Sequence, residues 1–336
     1  MTLLESRTPI IGLTSTIPVE IPLASGYRPV DLNNIFIHSE KPEKLIAQAE
    51  SAGFSYNICA WIKGIYSTVM NHKIAKMIAV TGGDCSNTLA LSEVLARRGV
   101  QIIPFEYPST PNKDLLFTQM EKLRKALSTT WEEIEKVRSR IEKIRVKLRE
   151  LDRLTFQGNV IGGYENHRFL VSSSDFYPDP VQYEKELDEF LSEAKKREPK
   201  EPEVRLGYLG VPPIFGRFYE YTESLGARVV FNEVQRQFSM PFEDKDILSL
   251  YTRYTYPYRI EGRIQDIQNA IEERKLDGLI HYTQTFCFRQ IYDIIFRESL
   301  SRPVLTLEGD RPGPIDSRTA IRLETFIEML KNNKSD

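Results

Sequence analysis

Three cysteines are the residues of this 336-residue chain best suited to chemistry: Cys59, Cys85 and Cys287. Each lies where a predicted strand or loop leads into a predicted helix. At a helix N-terminus, the dipole and the backbone N–H groups favour the thiolate, which is the form that binds metals. Three thiolates leave a tetrahedral structural zinc site incomplete, but they can hold an iron–sulfur cube with one iron open for chemistry. If the three cysteines meet in space, we therefore expect a catalytic iron–sulfur site.

The same cysteines also admit an interpretation as buried structural thiols. Cysteine outside disulfides is among the most buried residue types and usually packs as a small hydrophobe. The separations of 26 and 202 residues match no compact cysteine motif. Phe286 and Phe288 flank Cys287, which indicates core packing there. Judged by their positions alone, the cysteines favour structural thiols over a metal site.

Composition and charge exclude several classes of protein. Lys and Arg number 45 against 47 Asp and Glu, so the total charge does not predict nucleic acid or an anionic membrane as a partner. No apolar run approaches the roughly 18 residues that span a bilayer. Met1–Arg7 lacks the basic region and apolar core of a signal peptide. An odd number of cysteines also argues against a secreted disulfide framework. We expect a cytoplasmic location.

The apolar pattern predicts an α/β protein with two open parallel-sheet lobes of the Rossmann or flavodoxin type. Strands alternate with helices in the first and last thirds of the chain, which is typical of parallel sheets covered on both faces. We expect an N-terminal lobe at 1–111 with Cys59 and Cys85, and a C-terminal lobe at 203–336 with Cys287. The predicted strands are 9–13, 30–36, 77–81, 101–105, 204–209, 227–231, 278–282 and 303–307. The main predicted helices are 41–51, 86–97, 180–197, 214–225, 262–274 and 317–330.

Residues 112–202 are predicted to form a long helical hairpin and a linker between the lobes. Residues 115–154 contain no Pro or Gly, and their apolar residues recur every seven positions, which indicates a seam on one long helix. A glycine-containing polar loop and the helix at 180–197 follow. The seam suits either packing within the chain or dimerisation, and we favour the former. Two pairs at i,i+4 spacing support the solvent face: Glu121/Lys125 and Glu132/Lys136.

Ligands of open α/β sheets bind beyond the carboxyl ends of the strands. Cys85 follows the strand at 77–81, and Cys287 follows the strand at 278–282, so both are expected at that edge of their lobes. If the two lobes bind one ligand between them, these distant cysteines come together. Polar residues at the same strand ends are candidates for orienting a substrate or tuning an iron: Ser15, Thr16, Ser86, Gln284 and Glu308.

Other residue patterns in the sequence are weaker indications of function. The glycines at 207 and 210 follow a strand, but no third glycine completes a dinucleotide-binding motif. His281 stands at a strand end and is more consistent with a satisfied core residue than with a ligand. Four tyrosines with Arg253 and Arg259 form an aromatic and basic segment, for which packing is favoured over stacking on a nucleobase. The tyrosines are Tyr251, Tyr254, Tyr256 and Tyr258.

Several segments together carry a likeness to a known family. They are Ile11–Leu13, Ile17–Gly26, Asn57–Lys63, Gly83–Ser86, Gln284–Cys287, Glu308–Asp310 and Arg318–Leu330. In these segments the sequence resembles the family of 2-hydroxyacyl-CoA dehydratase and benzoyl-CoA reductase subunits. The resemblance spans nearly the whole chain, and the joint placement of all three cysteines makes it specific.

The resemblance implies a cofactor and partners. Subunits of that family bind a [4Fe-4S] cluster through three cysteines between two α/β lobes, and they work as dimers of related subunits. An ATP-hydrolysing activator with its own iron–sulfur cluster supplies a low-potential electron. In the dehydratases, the open iron can receive a substrate oxygen, and the reduced acyl-CoA thioester forms a ketyl radical that expels hydroxide. By this resemblance, Cys59, Cys85 and Cys287 are the cluster ligands.

The leading hypothesis is therefore a lyase subunit with an oxygen-sensitive cluster, which acts on an acyl-CoA thioester beside a paralogous or identical subunit. A benzoyl-CoA reductase-like oxidoreductase is the second choice. Two alternatives stay open: an electron-relay or assembly subunit of a related complex, and a metal-free two-lobe protein that binds a small ligand. The chain has no second set of cysteines, so one subunit cannot hold the double-cubane cluster of a related branch.

Overall fold

The computed structural model describes residues 8–285 and 287–335. The signal-peptide assessment of Met1–Arg7 and the flanking role of Phe286 fall outside these residues. The chain divides into two compact units. The first contains Met1–Val146, Ser172–Glu184 and Met240–Arg259, and the second contains Lys147–Val171, Lys185–Ser239 and Ile260–Asp336.

The described residues alternate strands and helices along most of the chain. The strands are β1 Ile10–Leu13, β2 Arg28–Asp31, β3 Lys76–Gly82, β4 Gln101–Glu106, β5 Val204–Leu209, β6 Ala227–Asn232, β7 Gly278–Thr283 and β8 Val304–Glu308. The helices are α1 Glu20–Ala24, α2 Leu32–Ile37, α3 Pro42–Ser51, α4 Ala60–Asn71, α5 Asn87–Arg97, α6 Lys113–Ala126, α7 Trp131–Phe156, α8 Gly163–Ser172, α9 Pro180–Ala194, α10 Phe218–Ser224, α11 Glu233–Phe238, α12 Ile247–Thr252, α13 Ile260–Arg274, α14 Tyr292–Ser299 and α15 Ser317–Ser335.

Each unit contains one four-stranded parallel sheet, and the two sheets share one topology. The orders are β2-β1-β3-β4 and β6-β5-β7-β8, so in each case the first strand of the lobe pairs with its second and third. Every residue of β5, β6 and β7 is buried, as expected when helices cover both faces of a parallel sheet. These two sheets confirm the prediction of two open parallel α/β lobes.

The strand predicted at 30–36 is wrong beyond Asp31. Its first residues belong to β2, but Leu32–Ile37 forms helix α2. The side chain of Asp31 accepts a hydrogen bond from the backbone N–H of Asn33 at 2.9 Å. An aspartate in this position caps a helix N-terminus. The strand therefore changes to a helix at Asp31, although the apolar residues continue.

The single long helix predicted at 115–154 is also wrong, because α6 and α7 are separated at 127–130. Ser128 adopts a left-handed conformation with φ 58°. Thr130 and Glu133 then form a reciprocal capping box: the Thr130 hydroxyl accepts from Glu133 N at 3.2 Å, and the Glu133 carboxylate accepts from Thr130 N at 3.0 Å. The two charged pairs are confirmed, with Glu121–Lys125 at 3.3 Å and Glu132–Lys136 at 2.7 Å.

The apolar seam of α7 is buried within the chain. Ile134, Ile141 and Leu148 are each at most 1% exposed. Such burial leaves no free seam for a second copy, so it favours packing within the chain over dimerisation through this stripe.

One further expectation differs from the structure, and another agrees with it. Residues 163–172, which the glycines suggested as a loop, form helix α8. The four tyrosines of the 251–258 segment are buried in the first unit, which agrees with the packing that was favoured over stacking on a nucleobase. Within the described residues, no helix has the length and apolarity that a membrane crossing requires.

Candidate functional site

The loop after β1 is fixed at the carboxyl edge of the first sheet. The Thr14 hydroxyl accepts a hydrogen bond from Val80 N at 2.9 Å, and the Asn33 amide donates to the Thr14 carbonyl at 2.9 Å. Ser15 follows half-buried, and Thr16 is buried. The Thr16 carbonyl accepts from the Tyr107 hydroxyl at 3.1 Å, but the Thr16 hydroxyl has no partner among the described residues. A buried hydroxyl without a partner costs stability and is a possible contact for a ligand.

Cys85 lies just beyond β3 at the same edge. The intervening Gly83 has φ 88°, and a Cβ there would lie 2.7 Å from the Tyr107 Cβ and 3.0 Å from the Pro257 carbonyl oxygen. Only glycine fits such a conformation and approach without strain. Cys85 itself is half-buried, and its carbonyl accepts from Thr88 N at 3.1 Å. Ser86 is exposed and precedes the first residue of α5.

Cys59 precedes α4 in an extended conformation, and its carbonyl accepts from Lys63 N at 3.2 Å. Helix α4 ends at Asn71 and β3 begins at Lys76, so α4 returns the chain to the amino end of that strand. We infer that the first turn of α4 lies toward the carboxyl edge, as in other crossover helices of parallel sheets. Gly64 lets α4 pack directly on α2, because a Cβ there would lie 2.3 Å from the Phe36 ring.

Cys59 and Cys85 pack against one hydrophobic cluster of the first unit. The cluster includes Ile62 from α4 and Leu91 from α5, and the two cysteines lie at its margin. Both are half-buried, and neither is in a disulfide bond. The first unit therefore brings two of the three sequence-predicted ligands to the same apolar cluster, each at the beginning of a helix.

Cys287 occupies the corresponding region of the second unit. It follows β7, its N–H donates to the Gln284 carbonyl at 3.0 Å, and its carbonyl accepts from Gln290 N at 3.0 Å. Cys287 is half-buried and begins a 3₁₀ turn that leads into α14. Gln284 is buried, with its amide nitrogen 3.4 Å from the Tyr282 hydroxyl. Glu308 pairs in register with Thr283 at the ends of β8 and β7, and its exposed carboxylate accepts from the Gln290 amide at 3.4 Å.

All three cysteines share one backbone environment. The carbonyl of each accepts the first hydrogen bond of the helical turn that follows it. The next few N–H groups of such a turn have no helical acceptor and favour negative charge nearby.

Buried ion pairs hold the loops that follow β1 and β5. In the first unit, an Arg145 nitrogen lies 2.7 Å from the Glu20 carboxylate, and both side chains are fully buried. The Tyr251 hydroxyl donates to Glu20 at 2.9 Å and accepts from Val19 N at 3.3 Å. Unpaired charges are expensive to bury, so this group fixes the segment that follows Ser15 and Thr16.

In the second unit, the Glu233 carboxylate binds Arg263 through two contacts of 2.5 and 2.9 Å. It also accepts from the N–H of Gly210 at 3.0 Å, which fixes the turn after β5. His281 is buried, and its Nδ1 lies 3.0 Å from Asp293 Oδ1. Burial lowers the pKa of His281. It is thus a hydrogen-bonded core residue, as the sequence favoured.

The residue types present fit an iron–sulfur cluster. Thiolates are the ligands such clusters use, and each of the three cysteines lies at the start of a helical turn. Among the described residues, no group of three or more His, Cys, Asp or Glu side chains is placed to hold a metal ion. Cys59 and Cys85 lie in the first unit, and Cys287 lies in the second.

Comparison with known proteins decides the family. The model of the 2-hydroxyglutaryl-CoA dehydratase D-component family matches residues 14–330. The chain belongs to this family. The match contains all three cysteines and all five polar candidates, and it confirms the resemblance found in the sequence. The chain is accordingly a 2-hydroxyacyl-CoA dehydratase-type subunit. A comparison with curated proteins gives no match.

Sequence reasoning did not single out the buried charges of this dehydratase-family chain. Glu20 stands alone in the apolar segment Ile17–Ala24, and Arg263 lies in a helix with many other charges. An isolated charge in an apolar segment was the one available signal for Glu20. Its partner Arg145 is 125 positions away, and no pattern in the sequence links the two.

Proposed function

We propose that this dehydratase subunit binds a [4Fe-4S] cluster through Cys59, Cys85 and Cys287 and acts on a 2-hydroxyacyl-CoA thioester. One observation supports the proposal most strongly: all three cysteines begin helical turns in a chain of this family. Two of them also directly follow the third strands of sheets with the same order. Three structural thiols would have no reason to share that environment.

The cluster, when bound, supplies an electron carrier with one iron not held by cysteine. The protein's own residues provide the rest of the site. Backbone N–H groups at the start of α4 and α5 favour the thiolates of Cys59 and Cys85. The unpartnered hydroxyl of Thr16 and the half-buried Ser15 are donors for a substrate carbonyl or hydroxyl at the first sheet.

At the second sheet, Gln284 and Glu308 have the corresponding role. Gln284 offers a buried amide next to Tyr282, and Glu308 offers an exposed carboxylate beside the turn that begins at Cys287. Ser86, exposed before α5, completes the set of polar groups that we assign to substrate orientation.

The proposal includes partners. The dehydratase reaction needs an acyl-CoA substrate, a related or identical second subunit and an ATP-dependent iron–sulfur activator that supplies the electron. A cluster with an exposed iron is sensitive to oxygen, so we propose an anaerobic, cytoplasmic setting.

The test is a titration of the anaerobically purified protein with 2-hydroxyglutaryl-CoA, followed by cluster absorption and electron paramagnetic resonance. Free 2-hydroxyglutarate and acetyl-CoA are matched controls, since each lacks one half of the recognised molecule. We expect the hydroxyacyl-CoA to change the spectrum and the controls to leave it unchanged. A cluster that responds to no acyl-CoA contradicts substrate binding and favours an electron relay.

Product analysis separates dehydration from reduction. Dehydration releases water and gives an enoyl-CoA with no net consumption of electrons, so the activator's electron is recovered after each turnover. A benzoyl-CoA reductase-type reaction consumes two electrons for each product. Measuring reductant consumed against product formed, in the complete system with activator and partner subunit, decides between the two.

A further inference from the structure

Lys63 is the one charged residue of α4, which otherwise carries apolar and small polar residues. Its side chain is only 2% exposed. Lysine is almost never buried to this extent unless its ammonium group is paired, because removal of the charge from water costs several kcal/mol. The partners of Lys63 therefore indicate what its burial achieves.

The ammonium group of Lys63 binds two acceptors. It donates to the Glu50 carboxylate at 2.6 Å, near the end of α3, and to the backbone carbonyl of Tyr56 at 2.7 Å. It also lies 5.5 Å from the centre of the Tyr56 ring. An ion pair that only joined α3 to α4 would need Glu50 alone. The bond to the Tyr56 carbonyl fixes the turn that precedes Cys59.

The backbone of the same residue binds the other end of that turn. Lys63 N–H donates to the Cys59 carbonyl at 3.2 Å, and inside the turn Ile58 N donates to Ser55 O at 3.1 Å. Lys63 thus holds residues 56–59 at both ends. Its side chain binds the first of these residues, and its backbone binds the last. Any residue supplies the backbone bond, but only a long cationic side chain reaches both Glu50 and Tyr56.

We propose that Lys63 is a positioning residue, which holds residues 56–59 so that the Cys59 thiol is oriented for metal binding. Without the side-chain bonds, the turn loses its link from the Tyr56 carbonyl through the ammonium group to α3, and it gains conformational freedom. The inference rests on the proposed function, because that function assigns the Cys59 thiol to metal binding. The restraint on Cys59 is nevertheless a property of the metal-free chain.

The test compares Lys63→Met with Lys63→Arg and uses Lys76→Met as a matched control. Lys76 is a half-buried lysine of the first unit that is also bonded to a tyrosine. Its ammonium group donates to the Tyr27 hydroxyl at 2.6 Å, and it lies at the beginning of β3. The measurement is the alkylation rate of Cys59 relative to Cys85 in the folded metal-free protein, resolved for each residue by mass spectrometry.

We expect Lys63→Met to raise the Cys59 rate relative to Cys85 by about tenfold, the effect of one lost hydrogen bond to a charged donor. Lys63→Arg should restore most of the wild-type ratio, because arginine keeps the charge and the donors. Lys76→Met should leave the ratio unchanged. A general loss of stability would raise the alkylation rates of both cysteines together and leave their ratio unchanged. An unchanged ratio in Lys63→Met therefore overturns the proposal.

The outcome is separable from the proposed function. If wild-type protein binds no iron but Lys63→Met changes the ratio, the cluster assignment fails and the restraint stands. If wild-type protein binds iron but the ratio does not change, the positioning role fails and the cluster assignment stands. With both correct, Lys63→Met releases iron to a chelator faster than Lys76→Met does.

Discussion

The carboxylate of Asp310 accepts two hydrogen bonds from Thr285, one from the backbone N–H at 2.7 Å and one from the hydroxyl. Thr285 is two residues before Cys287, and Asp310 follows β8. The N–H of Gly309 adds a third link, to the Thr283 carbonyl at 3.1 Å. The turn after β8 therefore holds the loop that presents the third cysteine.

Asp310→Ala should loosen that loop, because both bonds to Thr285 are lost. We expect faster amide hydrogen exchange in residues 284–285 and 287–291, by about tenfold, with little change elsewhere in the second unit. Asp316→Ala is the control, since Asp316 also accepts a backbone bond, from Thr319 N at 2.7 Å, but at the beginning of α15. Exchange in these residues that responds equally to both substitutions contradicts a specific role for Asp310.

Gly83→Ala should destabilise the protein more than Gly99→Ala does. Both glycines have φ 88°, so both substitutions carry the same left-handed strain of about 1 kcal/mol. At Gly99 an added Cβ meets nothing within 4 Å, whereas at Gly83 it meets Tyr107 and Pro257. The difference in unfolding free energy, measured by urea denaturation, isolates the close approach next to Cys85. Equal losses would show that this approach is not tight.

Arg145→Met should cost about 3–5 kcal/mol of stability, because it leaves the Glu20 carboxylate buried without its counter-ion. Glu20→Gln combined with Arg145→Met should recover a large part of this loss, since no charge then remains to be desolvated. Arg140→Met removes an exposed arginine of the same helix and should be nearly neutral. Chemical denaturation of the four proteins measures the effect, and a double variant no more stable than Arg145→Met would contradict the explanation.

Stability should fall as pH rises because of Asp175. Burial, and secondarily the neighbouring Asp31, raises the pKa of Asp175 to about 8. The Asp31 N–H donates to its carboxylate at 2.6 Å. An unfolded aspartate titrates near 3.9, so between the two values the folded state alone holds this proton. Its contribution is full below about pH 4 and is lost as pH rises through about 8, with a slope of up to about 1.4 kcal/mol per pH unit.

Asp175→Asn removes this titration while it keeps an oxygen acceptor. The unfolding free energy of the wild type should therefore fall relative to that of the variant between pH 5 and pH 9, so that the two curves separate as the pH increases. Asp179→Asn, at an exposed aspartate of the same segment, is a suitable reference for the ordinary pH dependence. Parallel curves for wild type and Asp175→Asn would show that Asp175 is ionised throughout.

Local patterns were sufficient to predict the two sheets. Runs such as Met77–Thr81 and Gly278–Tyr282 are apolar, short and followed by polar or glycine-containing loops, and each became a buried parallel strand. Predictions failed where apolar residues continued across a change of backbone conformation. Leu32 begins a helix because Asp31 caps it, and the seam of α7 begins anew at the Thr130–Glu133 capping box.

The sequence was sufficient to predict the cysteines of the candidate site, but not the residues that hold the loops around them. Cysteine is rare in this chain, so its three positions stood out. The groups that hold the loops are ordinary charged residues whose partners are distant in sequence, as with Glu20 and Arg145 or Thr285 and Asp310. The burial of Tyr251 likewise depends on the tertiary packing around Glu20, which its own aromatic segment does not reveal.

The central claim is that Cys59, Cys85 and Cys287 together bind one cluster. The most direct measurement is iron and acid-labile sulfide in anaerobically purified wild-type protein and in Cys85→Ser, with circular dichroism to verify that both are folded. We predict about four irons and four sulfides per wild-type chain, as a [4Fe-4S] cluster requires, and their loss in folded Cys85→Ser. Wild-type protein without iron, or a Cys85→Ser variant that keeps its full iron content, would contradict the claim.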